Sequence, residues 1–155
     1  MGTVYISDGA DVSCQVIRTL DVVGEKWSLL IVRDLLRGRS RFSQFRESLG
    51  VPTDVLTARL ATLVERGIVE KRPYREEGAR ERFSYHLTSA GEGLRIVLAA
   101  LIQWGDEFDP PPRGTASMLV DAQTREPVTL GYFDGAGRRV EAIAIAPGPA
   151  VANPW

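Results

Sequence analysis

The segment from Arg41 to Arg72, RFSQFRESLGVPTDVLTARLATLVERGIVEKR, constrains the fold of this chain more than any other stretch. Phe42, Phe45 and Leu49 fall at i, i+3 and i+7, so three large apolar groups share one face of a short helix. Ser40 is expected to cap the start of that helix, and Gly50 to end it in the left-handed conformation. Gly50, Val51 and Pro52 then make a turn. Thr53 is expected to cap a second helix, on which Leu56, Leu60 and Leu63 repeat the one-sided pattern as far as Gly67. Two one-faced helices joined by a tight turn form a helix-turn-helix.

The outward face of the second helix decides whether such a hairpin can read bases. At about 100° per residue, with Leu56 and Leu60 facing the core, Asp54, Thr57, Ala58, Ala61 and Glu65 point away from it. Near the N-terminal end, where Thr53 also lies, these side chains are short and mixed. A helix pressed into a major groove needs that, because long side chains all round hold it off the base edges. An ordinary amphipathic hairpin with a solvated face has the same pattern, so the two helices alone leave both readings open.

The segment beyond Gly67 favours DNA. Ile68 to Arg72 is a short strand candidate, and Arg82, Phe83, Ser84, Tyr85, His86 and Leu87 alternate polar with apolar. Between them RPYREEGARE, with Pro73, Gly78 and the charges from Arg75 to Arg80, reads as an exposed hairpin tip. A helix-turn-helix followed by a hairpin with arginines near its tip is a winged helix, whose wing lies along the phosphate backbone. Charge is distributed accordingly. The chain totals −1, yet from Arg33 to Tyr85 twelve Lys and Arg face eight Asp and Glu, against seven and twelve in the rest. A basic module in an otherwise acidic chain suits a localised, salt-sensitive phosphate contact. Arg39, Arg41, Arg75, Arg80 and Arg82 are the backbone-contact candidates; Thr53, Asp54, Thr57, Ala58 and Ala61 are the candidates for the base edges. Arg59, beside the core face, suits either a DNA contact or a structural ion pair. His86 reads as a surface residue or a phosphate contact.

Cys14, then LDVVGEKWSLLIVRDLL, RFSQF, VLTARLATLVERGIVEKR and YHLTSAG in this order resemble the HxlR-type regulators, bacterial winged-helix transcription factors akin to the MarR group. The resemblance runs from about Cys14 to Phe108. It implies a homodimer that binds double-stranded operator DNA through the second helix and the wing, and relatives of this type include thiol-based sensors. Two departures stand out: Pro52 where the family usually has a small polar cap, and Arg80 with Glu81 where the wing usually carries proline.

Flanking helices suit dimerisation. Val16, Ile17, Leu20 and Val23 form a stripe on a first helix. The next, from Trp27 to Leu36, is apolar nearly all round and should be buried. After the wing, Thr88 or Ser89 caps a long helix, Ser89 and Glu92 suit a capping box, and Leu94, Val97, Leu98, Leu101, Trp104 and Phe108 run along one face until Pro110. Two partners can cover that stripe: the same stripe, with Val16 and Leu20, on a second copy, or the chain's own winged helix.

Cys14 has two readings as well. Near the start of the first helix, with Arg18 one turn on, it suits a reactive thiolate that senses an oxidant; a lone cysteine near an apolar stripe also suits a small buried hydrophobe. A small-molecule effector is left open too. One histidine and one cysteine give no triad and no metal cluster, so neither catalysis, nor a metal, nor a cofactor is expected. The Gly135, Ala136, Gly137 segment reads as a hairpin turn rather than a phosphate loop.

The fold class expected is mainly α with a small β part: a winged helix-turn-helix with flanking dimerisation helices over 1–112, and a C-terminal antiparallel β extension over 113–155. In that extension Ser117 to Val120, Val128 to Phe133 and Val140 to Ala146 are the strand candidates, and APGPAVANPW is either a disordered tail or an arm held by Trp155. The longest apolar run, Ile96 to Ile102, is too short for a bilayer, and no signal peptide is visible, so the expected place is the cytoplasm with no membrane partner. The alternative function is a winged-helix module that binds another protein or a small ligand and no DNA.

Overall fold

A computed structural model of the chain describes residues 14–78 and 80–146. The proposed tail or Trp155 arm lies outside them from Pro147 on. In order, the elements are α1 (Gln15–Val23), α2 (Lys26–Leu36), α3 (Phe42–Leu49), α4 (Thr53–Glu65), β1 (Val69–Tyr74), β2 (Arg82–Leu87), α5 (Ser89–Gly93), α6 (Arg95–Phe108), β3 (Tyr132–Phe133) and β4 (Arg139–Val140). The described residues fall into two compact units, one of residues 15–101 and one of Cys14 with 102–146.

In the first unit, Phe45 from α3, Leu56, Leu60 and Leu63 from α4, and Ile31, Val32 and Leu35 from α2 meet in one core, closed by Val51, Ile68, Val69, Leu94 and Leu98. Burying each large apolar side chain stabilises the fold by roughly 1.5–3 kcal/mol. α2 is buried as its composition predicts, and it packs against both α4 and β2. β1 and β2 pair antiparallel from Val69 opposite Leu87 to Tyr74 opposite Arg82. Arg41 bridges to Ser84, and the Tyr85 N–H donates to the Ser40 carbonyl at 2.8 Å, so the link before α3 touches β2 through one isolated bridge beside the two-stranded hairpin.

The caps refine the sequence reading. Arg41, not Ser40, takes the cap position before α3; the Gln44 side chain reaches back and accepts from the Ser40 and Arg41 N–H groups, both at 2.9 Å. Gly50 ends α3 at φ 61° and ψ 19°, the left-handed turn the sequence predicts. Pro52, not Thr53, precedes α4, and its carbonyl accepts the Leu56 N–H at 2.9 Å. Proline's fixed φ suits this entry, and Thr53 becomes the first helical residue. α4 closes with the Ile68 N–H on Leu63 and the Gly67 N–H on Val64, the paired bonds of a Schellman motif.

The long helix after the wing is broken. Thr88 caps a five-residue α5 by accepting the Gly91 N–H at 3.2 Å, Leu94 interrupts, and α6 starts at Arg95. No Ser89–Glu92 capping box forms, because the cap sits one residue earlier, and Glu92 pairs with Arg95 instead. Gly91 is what lets α5 seat here: a Cβ at this position lies 2.2 Å from the Ile68 carbonyl oxygen.

In the second unit the three expected strands shrink to two tight hairpins. Val120 bridges to Pro127, and β3 pairs with β4 through Tyr132 opposite Val140 and Phe133 opposite Arg139. Val128 to Phe133 is strand at its end, and Val140 to Ala146 at its beginning. Aspartates organise both turns. Asp121 accepts from the Gln123 and Thr124 N–H groups at 2.8 and 2.7 Å, and Asp134 from those of Ala136 and Arg138 at 2.9 and 3.0 Å. These bonds hold both carboxyls below the usual aspartate range, led by Thr124 on Asp121 and by Arg138 on Asp134. Residues 135–137 are therefore a hairpin turn, as expected.

Candidate nucleic-acid interface

α4 is pinned on one side and bare on the other. Leu56, Leu60 and Leu63 are buried, whereas Thr53, Asp54, Thr57, Ala58, Ala61 and Glu65 are all exposed. The Thr57 hydroxyl donates to the Thr53 carbonyl at 2.7 Å, so its proton is committed to the helix and its oxygen is left as an acceptor. Arg59 is half-buried and makes no ion pair among the described residues, which removes the structural pairing that its position suggested. The outward surface of α4 is thus short, neutral over most of its length and without a covering element in its own unit.

The wing is longer than its sequence suggested. β1 extends through Pro73 and Tyr74, residues expected in the tip, because Pro73 sits opposite Phe83 at an edge where its missing N–H costs little. Tyr85 anchors the base: its ring meets Phe45 edge-on, centroids 6.2 Å apart, and burial pushes its hydroxyl above the ordinary value of 10.0. Toward the tip the side chains are charged with both signs, Arg75, Arg80 and Arg82 interspersed with Glu76, Glu77 and Glu81. Arg75, Arg80 and Arg82 are exposed, and neither Arg80 nor Arg82 has an ion-pair partner among the described residues. Arg41 pairs with Glu76 at 2.7 Å while its guanidinium lies 4.8 Å from the centre of the Tyr74 ring. Glu76 thereby offsets part of the wing's charge.

Two cations escaped the sequence reading. Lys71 lies over Phe83 at 3.9 Å, and Arg72 pairs with Glu70 on its own strand. Their place on β1 was visible, but which face they took depends on a register that the sequence did not fix. Arg39 is partly exposed and reaches Asp34 at 3.5 Å. His86 is half-buried against the Ser84 hydroxyl at 2.9 Å, which makes it part of the hairpin rather than a free surface group.

The dimerisation candidates divide. Leu94 and Leu98 are buried in the chain's own core, with Val97 packed against it. Leu101, Trp104 and Phe108 on α6 remain 51%, 60% and 63% exposed, and Val16 and Leu20 on α1 65% and 59%. Cys14 is a free thiol, partly exposed, immediately before α1. Among the described residues no cluster of His, Cys, Asp or Glu could hold a metal ion, and no helix is long and apolar enough to cross a membrane.

A helix-turn-helix whose second helix presents a bare face, followed by a two-stranded wing, matches a known family model, the HxlR-like helix-turn-helix, over residues 22–112. The chain belongs to this family. Its HxlR-like segment is 44% identical over 97 residues to an HTH-type transcriptional regulator of Mycobacterium tuberculosis. That match covers 63% of this chain, and the chain spans 60% of the length of that relative. Among solved structures it is similar to the proposed transcription factor PA1607, with a TM-score of 0.76, 37% identity, and 88% of this chain and 96% of that one covered. That share of this chain cannot be reached without residues past 112, so the likeness takes in part of the C-terminal extension. The redox regulator HypR in its reduced form is similar at a TM-score of 0.56 and 29% identity, over 61% of this chain and 92% of that one. The family is one of winged-helix transcriptional regulators.

Proposed function

We propose that this chain is a sequence-specific DNA-binding regulator that acts as a homodimer, with α4 in the major groove and the β1–β2 wing along the phosphate backbone. The observation that carries this reading is the bare, short-chained face of α4 in a unit whose wing carries Arg80 and Arg82, exposed and without an ion-pair partner among the described residues. A groove-seated helix needs small outward residues, and a backbone-seated hairpin needs cations. Thr53, Asp54, Thr57, Ala58 and Ala61 face the bases, with Arg59 at the edge of the groove; Arg39, Arg41, Arg75, Arg80 and Arg82 face phosphates.

Dimerisation is supported by the apolar side chains that the chain itself leaves uncovered, Val16 and Leu20 on α1 and Leu101, Trp104 and Phe108 on α6. A twofold partner offers the same groups in return. Sedimentation of the full chain should give twice the monomer mass, and Leu101→Asp with Trp104→Asp should give the monomer.

Oxidant sensing at Cys14 is a second reading, favoured by the partial exposure of that thiol and by the likeness to a redox regulator. With a single cysteine, the oxidised form is an intersubunit disulfide or a small-thiol adduct. Diamide should release DNA from the parent and leave Cys14→Ser bound; equal release from both removes Cys14 as the sensor.

A mobility-shift titration against the region upstream of the chain's own gene tests the main reading. Saturable binding that weakens with salt supports it. A chain that binds no fragment, and instead captures a protein or a small ligand, is an interaction module.

A further inference from the structure

The side chain of Asp34 is fully buried near the end of α2, within the helix that the sequence marks as almost wholly apolar. Its Oδ1 accepts from Arg33 Nε at 3.2 Å and Nη2 at 2.9 Å, and faces Arg39 Nη1 at 3.5 Å. Its Oδ2 has no hydrogen-bond partner. The Asp34 carbonyl accepts the N–H groups of Arg37 at 3.1 Å and Arg39 at 3.0 Å. Residue 34 therefore grips Arg39 twice, through the main chain and through the carboxylate.

Stability does not explain this arrangement. A buried carboxylate with one oxygen left unpaired is a poor core group, and a well-packed apolar residue in its place is often neutral or stabilising. What the carboxylate does, and an apolar residue cannot, is hold a guanidinium in a fixed orientation. The two arginines differ in what they have left to give. Arg33 commits two donors at close range and its side chain is 28% exposed, whereas Arg39 is held loosely by one and is 38% exposed. A guanidinium has five donors, so Arg39 keeps an outward fork able to take a phosphate. Immediately after it, Ser40 and Arg41 run along β2 at the base of the wing.

We propose that Asp34 is a positioning residue for DNA binding, which holds Arg39 with its free donors toward a backbone phosphate, while Arg33 serves the fold. The proposal rests on the reading that this winged helix binds DNA. Fluorescence anisotropy of the full chain on a labelled duplex from upstream of its own gene, at several salt concentrations, tests both separately. No binding by the parent overturns the DNA reading and this proposal with it. If the parent binds, Asp34→Asn and Arg39→Gln should each weaken binding on the order of tenfold and lower the log–log salt slope by about one. The double variant should be no weaker than either single one, whereas Arg33→Gln should lower the melting temperature and leave the slope intact. Additive losses in the double variant, or a parental slope in Asp34→Asn, overturn the proposal. Should Asp34→Asn fail to fold, the parent's own Arg39 Nη1–H resonance, from the group that faces Asp34, decides. Slow solvent exchange in the free protein and a shift on adding DNA support the clamp, and a fast-exchanging signal in both states overturns it.

Discussion

α4 and the wing are adjacent in sequence and packed on one another, yet they are held and charged in opposite ways. Leu56, Leu60 and Leu63 fix α4 along its whole length, each no more than 1% exposed, and its outward face carries threonine and alanine. The wing is buried at Val69, exposed from Lys71 to Pro73, and carries Arg72, paired with Glu70, and Arg80 and Arg82, which have no ion-pair partner among the described residues; its Glu76 pairs with Arg41 of the neighbouring link. A rigid surface poor in charge can discriminate shapes and base edges but attracts no polyanion; a charged hairpin held at its base does the reverse. On the proposed DNA-binding reading, sequence preference falls to α4 and salt-dependent affinity to the wing.

The hardest blow to that division is Leu60→Ala, which removes the support of α4 itself. It should cost about 2–5 kcal/mol, read as a lower melting temperature, and abolish discrimination between duplexes before it abolishes weak, non-specific binding. Next comes the wing: Arg80→Glu with Arg82→Glu should reduce affinity on the order of a hundredfold, equally for all sequences, in anisotropy titrations. A loss confined to one sequence would mean that the wing reads bases. Thr57→Tyr should do the opposite, changing the preferred base at one position by about 1–3 kcal/mol in a selection from random duplexes while the salt slope stays parental. The smallest effect is expected from Glu76→Gln. It frees Arg41 from a half-exposed pair of about 0–1 kcal/mol and should tighten all duplexes a few-fold at low salt. Unchanged affinity there would place Arg41 off the backbone.

Legibility followed periodicity. The stripes of α3 and α4, the Gly50 turn and the span of β2 could be read because apolar spacing and turn chemistry are local. The helix after the wing could not, because its stripe runs unbroken through Leu94, where the helix is interrupted between α5 and α6. Nor could the division of the supposed dimer stripe, in which Leu94 and Leu98 enter the core while Leu101, Trp104 and Phe108 stay outside. In the C-terminal segment the turn signals were right, and apolar length overstated the strands, since the Asp121 and Asp134 turns are closed by side-chain bonds rather than by a long ladder. At the candidate interface the exposed candidates on α4 were legible from helical geometry. The pairing of Arg41 with Glu76 and the burial of Asp34 were not, because both depend on how the link before α3 lies against the hairpin.

The most direct test is a salt series of anisotropy titrations on the full chain, with one duplex selected from a random pool and one scrambled. The selected duplex should bind more tightly at every salt, and both affinities should fall steeply on parallel log–log lines, because the backbone contacts are shared and the base contacts are not. Equal affinity for the two duplexes, or binding insensitive to salt, would contradict a groove-reading α4 beside a phosphate-binding wing.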